Sequence, residues 1–197
     1  MSYLTIGGIA EGFYKEKGSK FLAFAYPVSD EGDVKQHLDS LRKTYFDARH
    51  HCYAYVLGME QPRFRANDDG EPSHSAGDPI LGQIRSCGLT NTLVVVVRYF
   101  GGTKLGVGGL VQAYKTAASE ALSSAPRMEI FPVLTFRLSY SYAQIPEVER
   151  LVQQEGITVT DRQFSESCIL LGEIRKSEKE KFVLSLENSQ VQLVWID

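Results

Sequence analysis

Two cations and five glycines fall within one short stretch: Arg98, Gly101, Gly102, Lys104, Gly106, Gly108 and Gly109. Glycine admits positive φ and leaves backbone N–H groups open to close approach. A helix beginning at the end of such a stretch adds partial positive charge at its N-terminus. With Arg98 and Lys104 this equips the segment to receive an anion of the phosphate type, or another chain. The named nucleotide fingerprints are absent. Val107 follows Gly106 where G-x-x-x-x-G-K-[ST] needs lysine, and Val111 occupies the third glycine position of G-x-G-x-x-G. The plain alternative is a tight strand-to-helix turn.

Arg98 closes the apolar run Val94–Val97. An arginine at the mouth of a buried strand needs a carboxylate or an external anion. Asp68, Asp69 and Glu71 are the internal candidates, and both solutions stay open at this point. Tyr99 and Phe100 are either core residues or surfaces on which bases stack. Arg49-His50-His51-Cys52 looks like a metal signature, but neighbours on a strand point to opposite faces. A third ligand, His74 or Asp78, would have to come from a distant loop. The expectation is therefore no metal, with one histidine hydrogen-bonded and the other at the surface. Asp68, Asp69 and Glu71 flank Gly70 and Pro72 and read as turn formers rather than an acid–base set. Ser73 and Ser75 lie near His74 without a nucleophile elbow. No catalytic residue and no cofactor are assigned.

These residues need elements to position them. The run before Arg98 predicts a buried strand, and Leu110, Val111, Tyr114, Ala117, Ala118, Ala121 and Leu122 recur at helical spacing. Residues 3–28 carry two β-rich stretches about a Lys17-Gly18-Ser19 turn. Ser29 or Asp30 caps a helix running to about Tyr45. A strand covers His51–Leu57, and residues 58–77 read as a long polar loop. Asp78 caps a helix with Pro79 at its first position, and Gly88 closes it. From Ile130 the order is strand, helix, strand, strand, helix, strand, with a Ser177/Glu180 capping box before the second helix. That order is the ferredoxin-like βαββαβ pattern. The fold class is α+β, with domains at residues 1–127 and 128–197.

Composition excludes several classes. The 197 residues carry 21 Lys+Arg and 24 Asp+Glu, a formal charge of −3. The segment through Arg127 is close to neutral and the remainder is acidic, so bulk charge does not bind nucleic acid. No apolar run reaches membrane-spanning length. Three widely spaced cysteines, Cys52, Cys87 and Cys168, fit free thiols and a cytoplasmic location. No secretory signal is visible and no membrane partner is expected.

Asp47-Ala48-Arg49-His50-His51-Cys52, Asp68-Asp69-Gly70-Glu71-Pro72 and Val97-Arg98-Tyr99-Phe100-Gly101-Gly102, followed by Leu105-Gly106 and Gly108-Gly109-Leu110, resemble the YigZ/IMPACT family. The resemblance implies a two-layer α/β N-terminal domain like the second domain of a small-subunit ribosomal protein. It implies a ferredoxin-like C-terminal domain like the last domain of elongation factor G. Eukaryotic relatives restrain the kinase that phosphorylates a translation initiation factor, acting through an additional domain. The expectation is a binding module linked to translation, with RNA, the ribosome or a translation factor as partner. Its expected site is Arg98, Tyr99, Gly101, Gly102, Lys104, Gly106, Gly108, Gly109, Arg49 and His50, with Asp68, Asp69 and Glu71 at the rim. The other class of reading is an enzyme or sensor for a small phosphate-bearing ligand at the same loop.

Overall fold

The apolar run Leu93–Val97 becomes the centre of a five-stranded sheet, buried on both faces. The computed structural model describes Ser2–Ile196, and the chain divides into two compact units that meet in sequence between Ile130 and Phe131. The first unit runs β1 (Tyr3–Ile6), β2 (Ala10–Glu16), β3 (Ser19–Pro27), α1 (Glu31–Thr44), β4 (His50–Leu57), β5 (Arg63–Asn67), α2 (Gly77–Ser86), β6 (Thr92–Tyr99), α3 (Gly106–Ser124) and β7 (Arg127–Ile130). The sheet order is β2-β3-β6-β4-β5, and every neighbouring pair is antiparallel. β1 and β7 pair separately as an antiparallel ribbon, which joins residues 127–130 to the first unit rather than to the second.

Strand alternation decides the layers. Ala23, Ala25, Cys52, Ala54, Val94 and Val96 face α2 and α3. Phe24, Tyr26, Tyr53, Tyr55, Val95 and Val97 face α1, which contributes Val34, Leu38 and Leu41. The unit is therefore a three-layer α/β/α stack, and the expected two-layer arrangement is corrected. The cause lies in β4 and β6: apolar on both faces, they need cover on both. Each fully buried valine contributes about 1.5–3 kcal/mol. On the α3 face the chain uses small residues to close the layers. A Cβ on Gly12 would stand 2.3 Å from the Ala121 nitrogen, so α3 lies directly against β2.

The ends of the elements follow local chemistry, with three departures. Asp30 caps α1, accepting from Gly32 N at 2.7 Å and Asp33 N at 3.0 Å. Gly88 follows α2 with φ of 64°. Asp78 does not cap α2; it lies inside the helix and pairs with His74. Residues 63–67, read as loop, form edge strand β5, whose alternation was hidden because Arg63, Phe64 and Arg65 are all exposed. The Ser177/Glu180 box does not form, as Ser177 Oγ bonds Glu178 at 3.2 Å.

The second unit runs β8 (Val133–Tyr140), α4 (Ile145–Gln154), β9 (Thr158–Phe164), β10 (Cys168–Arg175), α5 (Lys179–Leu186) and β11 (Gln192–Ile196). Its antiparallel sheet has the order β11-β8-β10-β9. A capping box, Ser141 with Gln144, stands just ahead of α4. Phe136, Leu138, Leu170, Val148 and Phe182 centre the core. No helix among the described residues is long and apolar enough to cross a membrane.

Candidate functional site

The glycine turn between β6 and α3 is pinned to the β2–β3 hairpin. Lys17 and Gly18 occupy the hairpin turn with φ of 45° and 81°. A Cβ on Gly101 would stand 1.9 Å from the Gly18 carbonyl carbon, so only glycine lets the two turns touch. Ser19 Oγ fastens the contact, accepting from Gly101 N at 3.1 Å. Gly102 and Gly106 sit at φ of 88° and 72°, a region that disfavours any other residue. Gly108 differs: its φ is ordinary and open space surrounds its Cβ position, while Gly109 lies against Leu105. α3 begins at Gly106 without a side-chain cap.

Beneath the turn lies a buried polar network. Arg98 Nη1 donates to Glu71 Oε1 at 2.6 Å, with the two side chains 7% and 4% exposed. The internal carboxylate is therefore Glu71. Tyr114 Oη, fully buried on α3, donates to the same oxygen at 2.7 Å. Cys52 Sγ lies 3.3 Å from Tyr114 Oη and 2.9 Å from the Asp68 carbonyl oxygen, and its one S–H serves one of them. Burial pushes the Tyr114 and Cys52 protons far out of the physiological range, so neither becomes an anion. Arg98 Nη2 also reaches Ser19 Oγ at 3.5 Å, while Nε has no partner.

Asp68 and Asp69 do not join Glu71 at a rim, which corrects that expectation. Asp68 Oδ1 accepts from Ala76 N at 3.0 Å and Gly77 N at 2.8 Å, and Oδ2 from His74 N at 2.8 Å. It thus caps α2 from across the loop. Burial pushes its pKa up, yet the three N–H donors outweigh that and the net shift is downward. Asp69 Oδ2 accepts from His51 N at 2.7 Å, and Oδ1 meets Arg42 at 3.5 Å. Asp68 thus serves three N–H groups between His74 and Gly77, and Asp69 serves one N–H of β4 as well as Arg42.

The adjacent histidines diverge, as strand geometry requires. His50 stands opposite Arg98 in the β4–β6 register. Its Nδ1 is 2.8 Å from the Asp69 carbonyl oxygen, an acceptor, so Nδ1 carries a hydrogen. His51 is not at the surface. It is 5% exposed beneath α1, its Nε2 has no partner, and burial lowers its pKa. Among the described residues no three metal-ligating side chains assemble. Arg49 is exposed just before β4.

Two clefts flank the turn. One, of about 360 Å³, is lined by Glu71, Arg98, Phe100, Lys104, Gly106 and Val107 among others. The other, of about 480 Å³, is lined by Phe13, Gly18, Lys20, Leu22, Tyr99 and Phe100. Phe100 belongs to both. Phe13 and Phe100 are 56% and 55% exposed, and Lys17, Lys20 and Lys104 are exposed around them. Tyr99 Oη donates to Asp47 at 2.7 Å, and that bond pushes its pKa up to about 12. Phe13 and Lys20 are missed by reading motifs, because a hairpin far away in sequence delivers them. The clue is the alternation of β2 and β3, which leaves a phenylalanine on an exposed position.

Known proteins resemble this chain in sequence and in fold. The family described as the Impact N-terminal domain matches residues 17–122. IMPACT family member YvyE of Bacillus subtilis is 33% identical over 189 residues, covering 96% of this chain and 82% of its own. IMPACT family member YigZ of Escherichia coli is 36% identical over 140 residues, covering 70% and 69%. A crystal structure of a hypothetical protein shares 29% identity across 100% of this chain and 98% of its own, with a TM-score of 0.73.

Proposed function

We propose, from the premise that this chain belongs to the IMPACT family, that it is a binding module linked to translation or its regulation, and that it contacts RNA through the surface around the glycine turn. The observation that carries the reading is the alternation of exposed Phe13 and Phe100 with Lys20 and Lys104 across two clefts that meet at Phe100. Aromatic faces accept any base by stacking, and lysines follow the backbone. Local charge of this kind suffices where bulk charge does not. A pocket for a small phosphate is less well supported, since Glu71 already neutralises Arg98 at the cleft floor.

The second unit's element order and strand order support reading it as a ferredoxin-like domain. Its sheet face turned away from the helices presents Thr135, Arg137 and Ser139 on β8 and Ile169, Leu171 and Glu173 on β10. The second unit's most exposed aromatics, Tyr142 and Phe164, are not interleaved with lysines as Phe13 and Phe100 are, so base stacking is assigned to the first unit. A ribosome or a protein factor as the primary partner is separated by the test. A labelled single-stranded RNA and purified ribosomes are titrated across a salt series with wild type, Lys104→Ala and Phe100→Ala. Lys104→Ala should lower the salt slope by roughly 0.7–1, and Phe100→Ala should weaken binding by about 1–3 kcal/mol. Wild-type binding by both folded variants refutes the assignment to this surface.

A further inference from the structure

Independently of the glycine turn, the opposite edge of the same sheet carries its own recognition chemistry. β5 is an edge strand, and Arg63, Phe64 and Arg65 are exposed along it. Phe64 is 56% exposed, and the Arg85 guanidinium from α2 lies 4.0 Å above its ring. Beside it is a cleft of about 350 Å³ lined by Tyr3, Val56, Met59, Pro62, Phe64 and Arg85 among others. Arg63 and Arg65 leave their guanidinium groups on the exposed part of this edge. Glu31, on the α1 side, is engaged by Tyr55 Oη at 3.1 Å.

We propose that β5 is a docking edge that takes an extended acidic peptide of a partner protein as an added strand. The outer side of an edge strand offers a row of main-chain donors and acceptors. Alternation places Arg63 and Arg65 on one face and Phe64 on the other. Side chains two apart on a strand are about 6.6–6.8 Å apart, a spacing that a second strand reproduces. The fitting peptide therefore alternates, with carboxylates meeting Arg63 and Arg65 and apolar side chains meeting Phe64 and its cleft. This is strand addition, with main-chain bonds giving affinity and alternate side chains giving specificity. Charges on an edge ordinarily repel unwanted strands, but that role leaves the exposed Phe64 and its cleft without a use. A second copy of this chain paired about Phe64 does not fit. Antiparallel β5–β5 pairing centred on Phe64 sets Arg63 against Arg65, and like charges directly opposite are destabilising.

The test uses the full-length protein labelled with nitrogen-15, an eight-residue capped peptide alternating glutamate and valine, and its lysine–valine counterpart. The glutamate peptide should saturate shifts at the amides of residues 63–67 and slow their hydrogen exchange. The double variant Arg63→Glu/Arg65→Glu should bind it at least tenfold more weakly and take up the lysine peptide instead. Should that variant lose amide dispersion, Phe64→Ser replaces it, with a threefold or greater loss expected. Absence of saturable shifts at residues 63–67, shifts confined to another surface, or equal affinity in the variants overturns the proposal. Saturation of the same amides by a single-stranded RNA in place of the peptide assigns the edge to nucleic acid and overturns it as well.

Discussion

Removing the Glu71 carboxylate tests whether Arg98 is a structural cation or an anion receptor. The pair is 2.6 Å apart and almost wholly buried, and Tyr114 donates to the same oxygen. In Glu71→Ala the guanidinium keeps one distant hydrogen bond, to Ser19 at 3.5 Å, and the faces of Phe21 and Phe100 at 5.4 and 5.8 Å, and Tyr114 loses its acceptor. Breaking a buried pair from one side costs about 3–5 kcal/mol, a large part of the 5–15 kcal/mol typical of a domain. Arg98→Met should cost a similar amount, because it leaves a buried carboxylate. Replacing both, as Arg98→Met/Glu71→Leu, removes both orphaned charges and should cost clearly less than the two single losses together. The assay is urea unfolding followed by two signals. The chain's one tryptophan, Trp195, packs half-buried against the second unit's core, so its fluorescence reports that unit. Far-ultraviolet circular dichroism carries the first unit's transition as well. The loss should appear in the dichroism and leave the Trp195 transition in place. Glu71→Ala within about 0.5 kcal/mol of wild type, the scatter expected of an unremarkable surface change, refutes the reasoning. Arg98 would then be free to hold an external anion.

His51 should make stability pH-dependent. Burial holds its pKa below 6.5 in the folded state, so its contribution is complete above 6.5 and declines as pH falls from there through the folded value. His51→Leu should flatten that part of the profile. The exposed His74–Asp78 pair runs the other way, its pKa raised above 6.5 by Asp78, and a His74→Gln background removes it from the measurement. A profile unchanged by His51→Leu rules out this origin. A fragment of residues 1–130 should fold alone and give dispersed amide resonances, because the β1–β7 ribbon closes within it. A collapsed spectrum for the fragment, beside a native one for the full chain, shows that the two units need each other.

Much of the fold is legible in the chain because its signals are local. The β6 run, the Asp30 cap, the Lys17-Gly18 turn and the helical spacing after Gly109 each act within a few residues. What fails is what depends on distance. The loop carboxylates read as turn formers, yet Asp68 caps a helix that its own sequence position does not adjoin, and Asp78, which has the capping signature, is drawn to His74. The third layer is implicit in the run itself, since a strand apolar at every position has two faces to cover. β5 escapes notice for the opposite reason. Its residues are exposed, so no periodicity marks it, and only the β4 register shows that it is a strand. The glycines separate only once the structure is known. Gly101 answers to the hairpin against it, Gly102 and Gly106 answer to backbone angle, and Gly108 answers to nothing nearby. That difference matters for function. Gly102→Val is unsuitable as a probe of binding, since it strains a positive-φ turn, whereas Gly108→Val meets neither obstacle. Gly108 is therefore the glycine at which loss of RNA binding in a folded protein can be attributed to the surface and not to the turn.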